Sequence, residues 1–363
     1  MPPPSTASRP SSTSGGGRHE RADGGTPVSL ANRRILLAAR PQGLPKPSDW
    51  TIEDVPIAPV ADGEALVKVG LLSLDPAMRG WMNEGRSYVA PVAIGEVMRA
   101  FGIGEVVESR RPDLAAGMHV SGVFGMQQYC RIGPQGPAWS PVDLSLAPAE
   151  KWLNPLGMPG MTAYFGLLEV GQPRPGQTVV VSGAAGAVGQ SVGQIAKIKG
   201  CRAVGIAGGK AKCDFVVDEL GFDACIDYKA GDLKGGLKAA CPDGIDVYFD
   251  NVGGDVLDTV LTRITRHARI VVCGAISQYN NTQPVRGPAN YLSLLVNRAR
   301  MEGMVVFDHA ARYPEAIAEI AAWMTQGRLR SREDVVDGLE RFNERLLMLF
   351  SGANFGKLIL RVS

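Results

Sequence analysis

One stretch constrains this chain more than any other: Val179-Val180-Val181-Ser182-Gly183-Ala184-Ala185-Gly186-Ala187-Val188-Gly189-Gln190. A β-branched run leads into glycines spaced Gly-x-x-Gly-x-x-Gly, and an amphipathic segment, Ser191 to Lys199, follows. Branching at Cβ favours an extended strand. Glycine after such a strand removes the Cβ that would block a pyrophosphate, and a helix N-terminus offers unpaired N–H groups to it. A glycine pattern by itself also fits a tight turn with no ligand. Here the strand before, the helix after and a second strand at Ala203 to Ile206 supply the context that a dinucleotide site needs.

The end of that second strand separates NAD from NADP. Folds that bind NAD place an acid there, about 20 residues past the glycines, to accept from the ribose 2′-hydroxyl. This chain reads Gly205-Ile206-Ala207-Gly208-Gly209-Lys210-Ala211-Lys212, with no acid at the position. Lys210 and Lys212 instead place positive charge where a 2′-phosphate would sit. The expected cofactor is therefore NADP(H), with a pair of solvated surface lysines as the alternative for either residue alone.

The 363 residues suffice for two packed domains. Residues 1 to 28 are Pro, Ser, Thr, Gly and Arg with few apolar side chains, so a disordered tail is expected there. The tail reads as passive rather than as a transit peptide, because Glu20, Asp23 and the glycines suit the latter poorly. Residues 29–154 carry short strand-like runs with frequent turn signals, among them Ile35 to Ala38, Ala65 to Leu72 and Gly104 to Glu108. They predict a β-rich, partly barrel-like substrate domain. Residues 155–321 alternate strand and helix, the pattern of an α/β fold with a Rossmann-type parallel sheet. Its strand candidates are Thr178 to Val181, Ala203 to Ile206, Ala224 to Ile226, Val247 to Asp250, Arg269 to Cys273 and Met301 to Phe307. Residues 322–363 end in a strand, Lys357 to Val362, and are expected to return to the first domain.

A net charge of +2, with Lys and Arg scattered among acids, speaks against nucleic-acid binding. No apolar run reaches the length of about 18 residues that a membrane span needs. The six cysteines show no Cys-x-x-Cys pair, which reads as free thiols in a reducing cytoplasm. Zinc ligands would be Cys, His and carboxylate in the first domain, yet Cys130 and His119 find no partners at zinc spacing. No metal is expected.

Five stretches carry a resemblance: Leu72-Ser73-Leu74-Asp75-Pro76-Ala77-Met78-Arg79-Gly80, the Ala184 to Gly189 turn, Asp250-Asn251-Val252-Gly253-Gly254, Cys273 to Asn280 and Asn354-Phe355-Gly356-Lys357. In this order they resemble the zinc-independent branch of the medium-chain dehydrogenase/reductases. That branch holds prostaglandin and leukotriene reductases, plant alkenal reductases and bacterial curcumin reductases. The resemblance runs from about Asn32 to the C-terminus and, by Gly208-Gly209 through Lys212-Cys213 and Gly338-Leu339-Glu340, is strongest to the curcumin reductase group. It implies a Rossmann domain joined to a GroES-like partial barrel, a homodimer, and a small enone or enal as substrate. It also implies roles. Gly186, Ala187, Val188 and Gly189 would hold the pyrophosphate, and Lys212 and Tyr228 the 2′-phosphate. Asn251 would line the cofactor groove. Cys273, Gly274, Ala275, Ile276, Ser277 and Tyr279 would pass beside the nicotinamide ribose, and Met304, Val305 and Val306 would face the nicotinamide. Asn354 would close over the cofactor.

The reaction implied is hydride delivery from NADPH to the β-carbon of an α,β-unsaturated ketone or aldehyde. An enolate oxygen then needs a neutral donor in a dry site. Tyr279 suits that catalytic role, since an unperturbed phenol with a pKa near 10 stays protonated at neutral pH. The ribose 2′-hydroxyl is a second possible donor, and the α-proton could come from water or through Tyr279. Where the family usually has Tyr, this chain has Ala77, with Arg79, Trp81 and Met82 as candidate rim residues and Tyr88 as a candidate substitute for that tyrosine. Two other functions stay open: a quinone reductase on the same fold, and an NADPH-binding protein without turnover.

Overall fold

The computed structural model describes residues 30–362, so the tail expected at 1–28 lies outside the described residues. Two sheets dominate. β1 (Ala31–Leu37) and β2 (Trp50–Pro56) form a separate antiparallel pair, and the first of the two large sheets is built from β3 (Ala65–Ser73), β4 (Phe101–Ser109), β5 (His119–Val123), β6 (Tyr129–Ile132) and β7 (Trp139–Pro141). The second holds β8 (Thr178–Ser182), β9 (Arg202–Ala207), β10 (Ala224–Asp227), β11 (Ile245–Asp250), β12 (Ile264–Val272) and β13 (Arg300–Gly303). The chain then adds β14 (Glu333–Asp337) and β15 (Lys357–Arg361), which join the first sheet, β15 lying antiparallel to β3. The C-terminal strands thus return to the N-terminal half.

The second sheet runs β10-β9-β8-β11-β12-β13, and every pairing in it is parallel. Strand order reverses between β8 and β11, and in such sheets ligands bind beyond the carboxyl ends at that reversal. The valine run explains why β8 is central. Val179 and Val181 face one apolar layer with Ile195 and Phe249, and Val180 faces the opposite layer with Tyr248 and Leu257. All three valines are fully buried, each contributing about 1.5–3 kcal/mol of burial.

One sequence reading needs correction here. The strand expected over Met301 to Phe307 stops at Gly303. Its partner β12 ends at Val272, and after the Met304 N–H bonds the Val272 carbonyl at 3.1 Å the chain has no ladder to follow. It turns instead into a 3-10 segment, Val306–Arg312. Cys273 likewise lies just past its strand.

The glycine turn leads into the Ala187–Ile198 helix. A Cβ on Gly189 would lie 2.2 Å from the Gly183 carbonyl oxygen and 2.8 Å from the Ala184 Cα. Helix and turn therefore touch backbone to backbone. Gly189→Ala is expected to cost about 1–3 kcal/mol of stability, read as a lower urea midpoint. An unchanged midpoint would mean that the turn opens freely. Among the described residues, no helix is long and apolar enough to cross a membrane, and all six cysteines are free.

Candidate active site

A cleft of about 780 Å³ opens where the carboxyl ends of β8, β9, β11 and β12 meet the first domain and the C-terminal segment. Gly186 and Gly356 form a parallel bridge there, so the returning chain lies against the glycine turn. Of the residues to which the resemblance assigns a role, the cleft brings together all except Ala275: Gly186 to Gly189, Lys212, Tyr228, Asn251, Cys273, Gly274, Ile276, Ser277, Tyr279, Met304 to Val306 and Asn354 all line it.

The glycine turn supplies an anion seat. Gly186 caps the helix, and the first-turn amides of Ala187, Val188 and Gly189 have no intrahelical acceptor. Backbone N–H groups and the helix dipole together favour negative charge at this point.

A second anion seat lies beyond β9. Lys212 faces the cleft, with its Nζ donating to the Gly352 carbonyl at 2.8 Å. Burial and the nearby Lys229 ammonium hold its pKa below the usual lysine value. Two cations crowded together suit a multiply charged anion between them. The Tyr228 hydroxyl and the Lys229 stem both crowd Gly208, where a Cβ would lie 2.9 and 3.0 Å from them. Asp227 fixes this corner, its Oδ1 accepting from the Gly209 and Lys229 N–H groups at 2.7 and 2.9 Å. Lys229 escaped the sequence reading because it follows the third strand rather than the second. Lys210 is a correction. Its side chain is 87% exposed and pairs with Asp214 one helical turn on, outside the cleft.

Between these seats, two loops are laced together. Asp250 is buried at the end of β11, and its Oδ1 accepts from the Ser182 and Tyr248 hydroxyls and from the Val252 and Gly253 N–H groups. Burial nevertheless pushes its carboxyl pKa up. Asn251 donates from Nδ2 to the Ser182 carbonyl at 2.8 Å. The Ile276 and Ser277 N–H groups bond the Asn251 and Val252 carbonyls, tying the loop after β12 to the loop after β11.

Tyr279 sits on this second loop. Its hydroxyl accepts the Ala275 N–H at 3.1 Å, which leaves the phenol proton free to donate. Ala275 therefore acts behind the cleft wall, through its backbone. Burial is the main reason the Tyr279 pKa stands above the usual phenol value, with Cys273 and Tyr88 adding to it and the Ala275 bond opposing it. The hydroxyl keeps its proton at neutral pH.

The far end of the cleft is apolar. Trp81, Phe101 and Phe307 succeed one another with ring centroids 6.3 and 6.4 Å apart, and Tyr88 stands 6.2 Å from Phe307. Ala77, Met158 and Thr162 complete this wall. Of the three candidate rim residues, Trp81 lines the cleft whereas Arg79 and Met82 do not, and the candidate substitute Tyr88 lines it. Met82 is core, and Arg79 is buried among carbonyl and amide oxygens. The sequence reading also missed a part-buried ion pair on the cleft wall. Lys357, 1% exposed, bonds Asp75 Oδ1 at 2.6 Å and the Leu74 carbonyl at 2.9 Å. Both residues stand in stretches already singled out, but nothing local says that segments 282 positions apart meet.

Among the described residues, no group of three or more His, Cys, Asp or Glu side chains could hold a metal ion.

With this geometry in view, comparison with known proteins is informative. Residues 33–138 match the family described as N-terminal domain of oxidoreductase, and residues 187–322 match that described as zinc-binding dehydrogenase. The chain is 43% identical to the NADPH-dependent curcumin reductase of Escherichia coli (strain K12), covering 92% of this chain and 97% of that one. It is 42% identical to the NADP(+)-dependent 2-alkenal reductase of Nicotiana tabacum, covering 92% and 98%. The crystal structure of CurA in complex with NADPH from Vibrio vulnificus superposes with a TM-score of 0.86 at 42% identity, covering 91% and 99%. Fold, site and relatives agree that the chain belongs to the medium-chain dehydrogenase/reductase family.

Proposed function

We propose that this protein is an NADPH-dependent oxidoreductase that reduces the carbon–carbon double bond of α,β-unsaturated ketones and aldehydes. The relatives named for NADPH-dependent reduction support the cofactor and the reaction class. The observation that carries the double-bond reading is the part-buried Tyr279 hydroxyl, held by the Ala275 N–H and still able to donate into the cleft.

The residues fit NADP(H) at both anionic ends. Gly186 to Gly189 receive the pyrophosphate on backbone amides, and Lys212, Tyr228 and Lys229 receive the 2′-phosphate. Asn251, Cys273 to Ser277 and Asn354 flank the middle of the groove, and Met304 to Val306 form its apolar floor. NADPH, when bound, supplies a hydride. Everything else falls to the chain. The aromatic wall excludes water and aligns the conjugated substrate, which lowers the entropic part of the barrier. As the β-carbon is reduced, negative charge grows on the carbonyl oxygen, and the Tyr279 hydroxyl donates to it. The α-carbon takes its proton from water or through the same phenol. Ala77 leaves space on the wall, and Tyr88 contributes the only other phenol of the substrate end among the described residues.

A homodimer belongs to the same proposal. Leu295 and Val296 are 75% and 67% exposed beside β13, whose outer edge is unpaired in this sheet. A second copy would cover both.

NADPH consumption with benzylideneacetone, an enone, and with menadione, a quinone, tests the reading. Turnover of the enone to the saturated ketone is expected, with the quinone slower. Quinone turnover without enone turnover would move the protein to the quinone reductases, and tight NADPH binding with neither would make it a non-catalytic binder.

A further inference from the structure

Arg79 poses a physical problem that the proposed chemistry does not absorb. It is 3% exposed, and among the described residues no carboxylate pairs with it. Asp49 acts on it only through space, its own oxygens being taken by Lys46. Burial holds the Arg79 pKa below the usual value. A buried charge without a counter-ion is costly unless it is hydrogen-bonded. Each of the three Arg79 guanidinium nitrogens donates to at least one oxygen. Nε donates to the Gly43 carbonyl at 3.0 Å and to Asn280 Oδ1 at 3.1 Å, one terminal nitrogen donates to Asn83, and the other to the Pro41 carbonyl at 3.0 Å.

Three of these partners belong to the first domain. The fourth, Asn280, belongs to the loop after β12 and directly follows Tyr279. Contact continues beside it, since a Cβ on Gly43 would lie 3.7 Å from Thr282 and 3.9 Å from the Asn280 carbonyl. The Tyr279 loop is thus pinned at two points. The hydroxyl is held from within by Ala275, and the residue after it is held from across the domain boundary by Arg79. The element that carries Arg79 also carries Ala77 and Trp81 of the substrate wall.

We propose that Arg79, acting through the Asn280 side chain, is a positioning residue for Tyr279. It fixes the donor hydroxyl of one domain against the substrate wall of the other. This rests on the reading of Tyr279 as the enolate donor. The guanidinium touches neither cofactor nor substrate. Its planar fork spans four oxygens from three segments, which an ammonium on a flexible stem would not do.

Asn280→Ala removes only the link across the boundary and leaves the other three Arg79 bonds in place. Turnover of benzylideneacetone is expected to fall about tenfold, since small misplacements of a reacting group are expensive. NADPH affinity and melting temperature should stay at the wild-type level, and Asn280→Asp, which still accepts from Arg79, should restore most of the turnover. A double-mutant cycle separates positioning from support. In a Tyr279→Phe background, Asn280→Ala should cost nothing further, because there is no hydroxyl left to place. Wild-type turnover in Asn280→Ala, or a full tenfold loss persisting in the Tyr279→Phe background, overturns the proposal. If Tyr279→Phe alone leaves turnover unchanged, the donor reading fails and the positioning role fails with it. If Tyr279→Phe slows the enzyme and Asn280→Ala does not, only the positioning role is lost.

Discussion

Tyr279→Phe is expected to lower enone turnover about a hundredfold, the loss typical of one preorganised oxyanion donor. NADPH affinity should remain within about twofold of wild type, because the ring, its loop and both anion seats are untouched. The expectation follows from three facts. The part-buried hydroxyl lines the cleft, desolvation keeps it protonated, and the Ala275 N–H already occupies one of its acceptor positions. A phenol that accepts one hydrogen bond is polarised towards donating another. Losing the hydroxyl also strands the Ala275 N–H, at a cost of about 1–3 kcal/mol in stability. Turnover must therefore be compared at a temperature where both proteins are folded. Wild-type turnover in the variant would mean that another group, such as the ribose 2′-hydroxyl, carries the enolate.

Lys212→Ala should weaken NADPH about fiftyfold and NADH less than threefold. A charge-assisted hydrogen bond contributes roughly 1.5–3 kcal/mol, and each 1.4 kcal/mol is a factor of ten in affinity. Lys212 is half-buried, so little water screens it, whereas Lys229 is exposed and its replacement should cost NADPH several-fold less. Lys212 also bonds the Gly352 carbonyl at the end of the Phe342–Ser351 helix. That bond is lost equally for either cofactor, so it cancels from the ratio of the two affinities. Equal weakening of NADPH and NADH would remove the 2′-phosphate role.

Much of the site was legible because it is written in short-range rules. The valine run, the glycine spacing and the missing acid after β9 are each local, and each depends on neighbours only a few residues away. The register of charge was legible only in part. Lys210 and Lys212 are two residues apart, and on a helix that spacing points them about 200° from one another, so only one can face the cleft. Lys212 does, and Lys210 finds Asp214. Lys229 belongs to the same corner yet stands past a different strand, which only the parallel pairing of β9 and β10 brings alongside.

The first domain was less legible still. In Asp75 to Gly80 the sequence marks several residues together without saying which face inward. Arg79 looked like a rim residue since arginine is rarely buried, and its partners Pro41, Gly43 and Asn280 give no sign in sequence that they converge. Lys357 and Asp75 are a similar case. Charge at the end of a strand reads as solvent-facing until the fold brings in its counter-ion. The strand expected over Met301 to Phe307 stops at Gly303 for another reason. Apolar β-branched residues favour extension, but a strand also needs a neighbour, and β12 had already ended.

The central claim is that the cleft directs hydride to the carbon β to a carbonyl. NADPH carrying deuterium at C4, in the position transferred, gives the most direct test with benzylideneacetone as substrate. Deuterium at the β-carbon of a saturated ketone is the predicted result. Deuterium on the carbonyl carbon, in an allylic alcohol, would contradict it.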